Sequence, residues 1–150
     1  MITLALRFFD KFAPECGTIH AHEDIIKKYG FVWFGKLGNT VSSSNIQLGL
    51  NNAEPKILLV HSGKTDRYWA YITDIKKELD EVEQVPEYYR KRNKDFHTWF
   101  KIVKIERAED DIMKRCFVKS SNKPLGEASK HSMSPFFIIQ VEDERNGINE

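Results

Sequence analysis

The feature that most constrains the fold is a pair of apolar segments that both end at a glycine beside a lysine. The first covers residues 30–36 and reads Gly-Phe-Val-Trp-Phe-Gly-Lys. The second begins at Ile57, ends at Gly63-Lys64 and leads into the aromatic segment 67–72. Aromatic and β-branched residues at this density are typical of β-strands. The turn residues 62–66 predict that strands 56–61 and 67–74 form a hairpin.

Weaker patterns predict the remaining elements. Further strands are expected at 2–9, 98–106 and 135–141. Short helices are expected at 19–29, capped by Thr18, and from a cap at Ser43 or Ser44 through Leu50. Residues 78–94 form a long exposed segment with one or two helical turns.

These elements predict an α+β fold, a small mixed β-barrel of five to six strands with two to three short helices. The strands do not alternate regularly with long helices, so the pattern does not favour a doubly wound sheet. A length of 150 residues suits one domain with a real core. We expect that domain to cover residues 1–142, followed by a polar tail at 143–150.

Composition limits the classes of function. The net charge of +1 excludes a global basic field, so any contact with nucleic acid must come from a local patch. Cys16 and Cys116 have no metal-binding spacing and indicate a reducing compartment. The sequence shows no signal peptide, and no segment approaches the roughly 20 apolar residues of a membrane span. A cytoplasmic protein is therefore expected.

Aromatic rings next to positive charge are what a protein needs to hold an unstacked base. Residues 88–94, Tyr-Tyr-Arg-Lys-Arg-Asn-Lys, place four positive charges in five residues beside two tyrosines. A solvated loop balanced by the preceding acidic residues is the alternative.

Gly63-Lys64-Thr65 supplies only the last three letters of a Walker A motif, since Leu58 stands where the first glycine is needed. A hairpin turn is favoured there.

The order and character of four segments resemble the PUA-like superfamily. The segments are residues 31–36, the hairpin 57–74, the strand 99–105 and the closing strand entered through 132–135, Ser-Met-Ser-Pro. The resemblance covers about residues 30–141 and is strongest to the EVE and YTH branches and to the N-terminal domains of McrB-type restriction proteins. It implies a domain that binds RNA or DNA and captures a modified base, flipped out or single-stranded, in a pocket beside the barrel.

This resemblance, together with the aromatic and basic residues, gives a set of candidate site residues. Rings that would stack on the base are Trp33, Trp69, Tyr71 and Trp99. Polar side chains that would line the pocket or read the edge of the base are Asn45, His61, Ser62 and Ser134. Cations that would hold flanking phosphates are Lys36, Lys64, Arg90 and Arg92. No catalytic residue, metal site or cofactor is expected.

Two other functions remain open. A small hydrolase or nucleotide-processing enzyme would use His61 with a carboxylate such as Asp66 or Asp74. His61 and Ser62 make a poor catalytic pair, however, because neighbours along a strand point to opposite faces. The third possibility is a protein-interaction module in a larger restriction or defence assembly. The sequence leaves open DNA or RNA, the base and its modification, and the oligomeric state.

Overall fold

The computed structural model describes residues 1–79, 84–90, 93–132 and 134–142. Within these ranges one sheet contains seven strands: β1 (Ile2–Phe8), β2 (Val32–Leu37), β3 (Lys56–His61), β4 (Arg67–Lys76), β5 (Phe96–Arg107), β6 (Cys116–Val118) and β7 (Phe136–Val141). Five α-helices accompany it: α1 (Thr18–Tyr29), α2 (Ser43–Leu50), α3 (Glu87–Arg90), α4 (Ile112–Arg115) and α5 (Leu125–Lys130). A short 3₁₀ turn at Asn93–Asp95 leads into β5.

The strand order is β2-β5-β4-β3-β1-β7-β6. The pairing of β1 with β3 is parallel, and the other neighbouring strands pair antiparallel. The hairpin of β3 and β4 is confirmed, with Leu58 opposite Trp69.

The predicted barrel with five to six strands and two to three helices is wrong in two respects. The described residues form an open sheet rather than a closed barrel, and they contain seven strands and five helices. The sequence missed β6, α4 and α5 because three to six residues are too few to display a period.

Both faces of the sheet are buried. One face packs against α1 and α2 through alternate residues of the central strands, such as Leu4, Leu6, Ile57 and Leu59. The intervening residues, such as Ala5 and Leu58, pack on the other face with Ile112 of α4 and Leu125 of α5. A strand covered on two sides needs apolar residues at every position, which explains the continuous apolar segment in β3.

Both predicted helix caps differ from the structure. Gly17 precedes α1, and the carboxylate of Asp10 accepts a hydrogen bond from the Thr18 amide over 3.0 Å. Ser42 caps α2 by accepting a hydrogen bond from the Asn45 amide. Asp10 lies two residues after the end of β1, so its contact holds this end of β1 against the start of α1.

A third apolar cluster lies beside the edge strand β2. It joins Trp33 of β2 and Trp99 of β5 to Val85 and Tyr89, which lie before and within α3. The amide of Trp33 donates to the Gln84 carbonyl over 2.8 Å. This cluster holds α3 against the sheet, close to the ends of β1 and β2.

Candidate functional site

A cavity of about 100 Å³ opens between the ends of β1 and β2. Its walls are mainly aromatic. The rings that line it are Phe8, Phe9, Phe12, Phe34, Tyr88, Tyr89 and Phe96. An enclosed apolar cavity of about 150 Å³ admits benzene. The cavity between β1 and β2 is smaller but open at its mouth, so its size corresponds to a single planar ring.

The inner wall is a packed set of rings carried by α3 and the start of β5. The ring centroids of Tyr89 and Phe96 are 4.5 Å apart, and Tyr88 meets Tyr89 edge-on at 4.9 Å. Gly35 makes this packing possible, because a Cβ there would lie 2.6 Å from Cγ of Phe96. Burial raises the pKa of Tyr89 well above its usual value, so its hydroxyl stays protonated.

A buried lysine lies at the inner end of the cavity. Lys36 is only 4% exposed, and its Nζ donates to the carbonyls of Leu37 over 3.0 Å and Asn39 over 2.9 Å. The same Nζ lies 5.1 Å from the centre of the Phe136 ring. Within the described ranges no carboxylate pairs with it, and burial lowers its pKa. A buried cation without a counter-ion favours a ligand with an acceptor or a negative charge.

The mouth of the cavity combines exposed rings with positive charge. Phe9 is 47% and Phe12 43% exposed, and Nζ of Lys11 lies 5.3 Å from the centre of the Phe12 ring. The Arg7 guanidinium lies on the other face of the sheet, where it donates to the Ser129 carbonyl over 2.7 Å and lies 5.9 Å from the centre of the Phe137 ring. Arg90 ends α3 immediately after the two tyrosines and is exposed.

A hydrogen-bonded cluster supports the cavity from behind Phe8. The ring of His61 stacks on Phe8 with centroids 4.5 Å apart. Its Nε2 lies 3.0 Å from Asp10, and its Nδ1 lies 3.0 Å from both carboxylate oxygens of Asp66. Tyr68 donates to the same Asp66 over 2.6 Å.

The two carboxylates of this cluster share one electrostatic pattern. Burial acts to raise the pKa of Asp10 and of Asp66, but hydrogen bonds and the contact with His61 outweigh it and lower both. In this geometry both ring nitrogens of His61 are engaged by carboxylates.

A sequence model of the Pua-like family matches residues 4–145. The chain belongs to the Pua-like family. Comparison with curated proteins and with solved structures gives no match. Family membership indicates an RNA- or nucleic-acid-binding domain in general, and domains of this kind are typically binding modules. The predicted PUA-like resemblance is thereby confirmed, while its EVE and YTH detail stays a prediction.

The structure of this Pua-like chain does not bring the predicted stacking rings together. Trp33 and Trp99 are each 3% exposed and lie in the cluster behind the aromatic wall. Trp69 belongs to the core on the α4 and α5 side, and its Nε1 donates to Glu109 over 3.2 Å. Tyr71 packs at the border of the same core and donates to Glu106.

The predicted polar residues are also dispersed. Asn45 lies in the first turn of α2, and Ser62 follows His61 in the β3–β4 turn, where its amide donates to the Phe8 carbonyl over 2.7 Å. Ser134 donates through Oγ to the Phe136 carbonyl over 2.7 Å. His61 contacts the cavity wall by stacking on Phe8, and Ser134 directly precedes Pro135, which lines the cavity.

The predicted phosphate-binding cations occupy different environments. Lys64 is exposed in the β3–β4 turn, and Arg90 is exposed at the end of α3. Arg92 lies outside the described residues. Among the predicted site residues that the structure describes, only Lys36 lines the cavity. Its burial places the ammonium inside the site rather than on the surface.

Sequence reasoning did not select the rings that do line the cavity. A signal for two of them was present, because Phe9 and Phe12 flank Asp10-Lys11 just after a strand, where no core is expected. Tyr88 and Tyr89 were noticed as part of the basic aromatic segment. No helix in the described part of the chain is long and apolar enough to cross a membrane.

Proposed function

We propose that this Pua-like protein binds nucleic acid and captures one unstacked base in the cavity between β1 and β2. The observation that carries the proposal is the combination of an aromatic lining with the buried ammonium of Lys36, which pairs with no carboxylate among the described residues. Rings supply stacking faces for a base, and an ammonium supplies donors for its polar edge.

The energy of this binding would come from two sources. Stacking contributes about 1–3 kcal/mol per base and depends little on sequence. Phe9 and Phe12 at the mouth would stack on the captured base or its neighbours. Because the net charge is only +1, phosphate contacts depend on local cations such as Lys11 and Arg90.

The resemblance to the EVE and YTH branches supports a finer proposal, that the captured base carries a modification. A modification adds contacts inside a pocket and offsets the few kcal/mol that unstacking costs. The geometry of His61 argues against the hydrolase alternative, since Asp10 and Asp66 occupy both ring nitrogens.

The test compares two exposed aromatic residues with similar surroundings. Phe12 lies at the mouth under Lys11, whereas Tyr29 lies at the end of α1 under Lys28 and does not line the cavity. Phe12→Ala should weaken binding to a single-stranded oligonucleotide about 5- to 150-fold, as loss of one stacking contact implies. Tyr29→Ala should bind like the wild type. Fluorescence anisotropy measures both affinities, and thermal melting checks that both variants fold.

Two results would contradict the proposal. One is absence of binding to modified and unmodified oligonucleotides of both DNA and RNA. The other is an equal loss of affinity in Phe12→Ala and Tyr29→Ala, which would mean that exposed rings bind the oligonucleotide wherever they lie on the surface.

A further inference from the structure

Among the described residues that line the cavity, Lys36 brings a positive charge to its interior. An ammonium has three donors and no acceptor. Two donors of Lys36 are used by the carbonyls of Leu37 and Asn39. In the described residues no oxygen accepts a hydrogen bond from the third N–H donor, and the centre of the Phe136 ring lies 5.1 Å from Nζ. The inner end of the cavity therefore offers a hydrogen-bond donor that a ligand could satisfy.

The depth of Lys36 fixes which edge of a base would meet it. Phe9 and Phe12 form the exposed mouth, whereas Lys36 is almost fully buried. A base that enters from a strand keeps its sugar and phosphates outside, so the edge opposite the glycosidic bond goes in first. On that edge uracil and thymine carry the O4 acceptor, and guanine carries O6. Cytosine and adenine carry an amino donor there.

We propose that Lys36 makes the cavity selective for a keto pyrimidine, uracil or thymine, whose O4 accepts a hydrogen bond from Nζ. This inference rests on the proposed function and names the class of base that the site takes. The amino group of cytosine would face the ammonium, donor against donor, which disfavours cytosine in this position. A cavity of about 100 Å³ favours one six-membered ring over the two fused rings of guanine.

The environment of Lys36 supports a role beyond holding its own loop. Lysine is rarely buried without a paired carboxylate, because the charge loses its hydration. The two backbone carbonyls compensate only part of that loss. Burial lowers the pKa of the side chain, because the charged form loses its hydration. A carbonyl oxygen from the ligand would complete the set of acceptors.

The experiment offers the protein one base at a time. Short single strands carry one central base flanked by abasic sugar-phosphate units, and their affinities are measured by fluorescence anisotropy. The central base is thymine, uracil, cytosine, 2-pyrimidinone, adenine or guanine. Thymine and uracil should bind about 5- to 100-fold more tightly than cytosine. The decisive ligand is 2-pyrimidinone, which keeps the ring and O2 but lacks both O4 and the amino group of cytosine, and it should bind more weakly than thymine and uracil.

Two lysine variants test the residue itself. Lys36→Met keeps an apolar stem without donors and should abolish the difference between thymine and cytosine. Lys64→Met removes an exposed lysine in the β3–β4 turn and should leave that ratio at its wild-type value. If Lys36→Met does not fold, the comparison of thymine with 2-pyrimidinone on the wild-type protein still decides the question.

The outcomes separate the inference from the function on which it rests. If the strands with a base bind no better than a fully abasic strand, and natural oligonucleotides do not bind either, the proposed function fails. If all bases bind equally well, or cytosine binds more tightly than thymine, the selectivity of Lys36 is refuted while base capture stands.

Discussion

Replacement of Gly35 by alanine tests whether the aromatic wall is as tightly packed as the structure shows. The new Cβ would lie 2.6 Å from Cγ and 2.7 Å from Cδ1 of Phe96, and 3.0 Å from Cζ3 of Trp99. Carbon atoms in contact normally lie about 3.5–4.0 Å apart. Cγ is the inner atom of the ring and moves only with the whole side chain. Phe96 would therefore have to leave its position against Tyr89.

Such overpacking typically costs about 1–3 kcal/mol of unfolding free energy. For a chain of this length each kcal/mol corresponds to roughly 2–4 °C, so the melting temperature should fall by about 2–12 °C. Because Phe96 lines the cavity, displacement of its ring should also weaken oligonucleotide binding. The assay is thermal melting together with anisotropy titration, both at one salt concentration.

The matched control is Gly126→Ala in α5. A Cβ at Gly126 meets nothing within 4 Å, and alanine is the better helix former by up to about 1 kcal/mol. This variant should melt at or above the wild-type temperature. Adding Phe96→Leu to Gly35→Ala should recover part of the lost stability, because the smaller side chain relieves the overlap. Unchanged melting and binding in Gly35→Ala would refute the packing argument.

Four further predictions concern a buried ring, two titrating groups and the phosphate contacts. Trp99→Ala should lower the free energy of unfolding in urea by about 3–5 kcal/mol, since the ring is buried. Unchanged stability together with weaker oligonucleotide binding would instead indicate that Trp99 contacts the base. Burial lowers the pKa of His22 to about 4, so the unfolded chain binds more protons between about pH 6.5 and 4, and stability should fall by about 3 kcal/mol over that window. His22→Asn should remove this fall, and an unaltered pH profile would disprove the assignment. The lowered pKa of Asp66 contributes stability that is present above about pH 4 and is lost on further acidification. Asp66→Asn should therefore be less stable than the wild type at pH 7 and equally stable in strong acid. Oligonucleotide affinity should fall with salt at a log–log slope of about −2 to −3.5, as three to five phosphate contacts on a single strand imply, and a salt-independent affinity would remove those contacts.

The main strands could be predicted because their sequences carry a strong local signal. Residues 57–60 are apolar at every position, and β3 is buried on both faces as that pattern predicts. Whether the strands form an open sheet or a closed barrel could not be predicted, because this depends on whether the two edge strands pair with each other in the folded protein. The short elements between β5 and β7, which are α4, β6 and α5, are too short to show a hydrophobic period.

The site was harder to predict because the choice between core and pocket is not local. Trp33 and Phe34 are neighbours in β2, and their side chains point to opposite faces. Phe34 lines the cavity, while Trp33 is covered by the cluster around Tyr89. That cover comes from a segment more than fifty positions away in the sequence, so the alternation in β2 alone could not assign the faces. The expected cytoplasmic location and the defence assembly stay predictions.

The position of β1 has a consequence for the order in which the protein can fold. β1 lies between β3 and β7, and the carbonyl of Met1 accepts a hydrogen bond from the Val141 amide over 2.7 Å. At about 5–20 residues per second of synthesis, β7 leaves the ribosome roughly 7–28 seconds after β1. During that interval one edge of an apolar strand has no partner, which is a site for aggregation. The strand that is synthesised first is thus completed only when nearly the whole sheet has been made, and folding dominated by such distant pairs is slow.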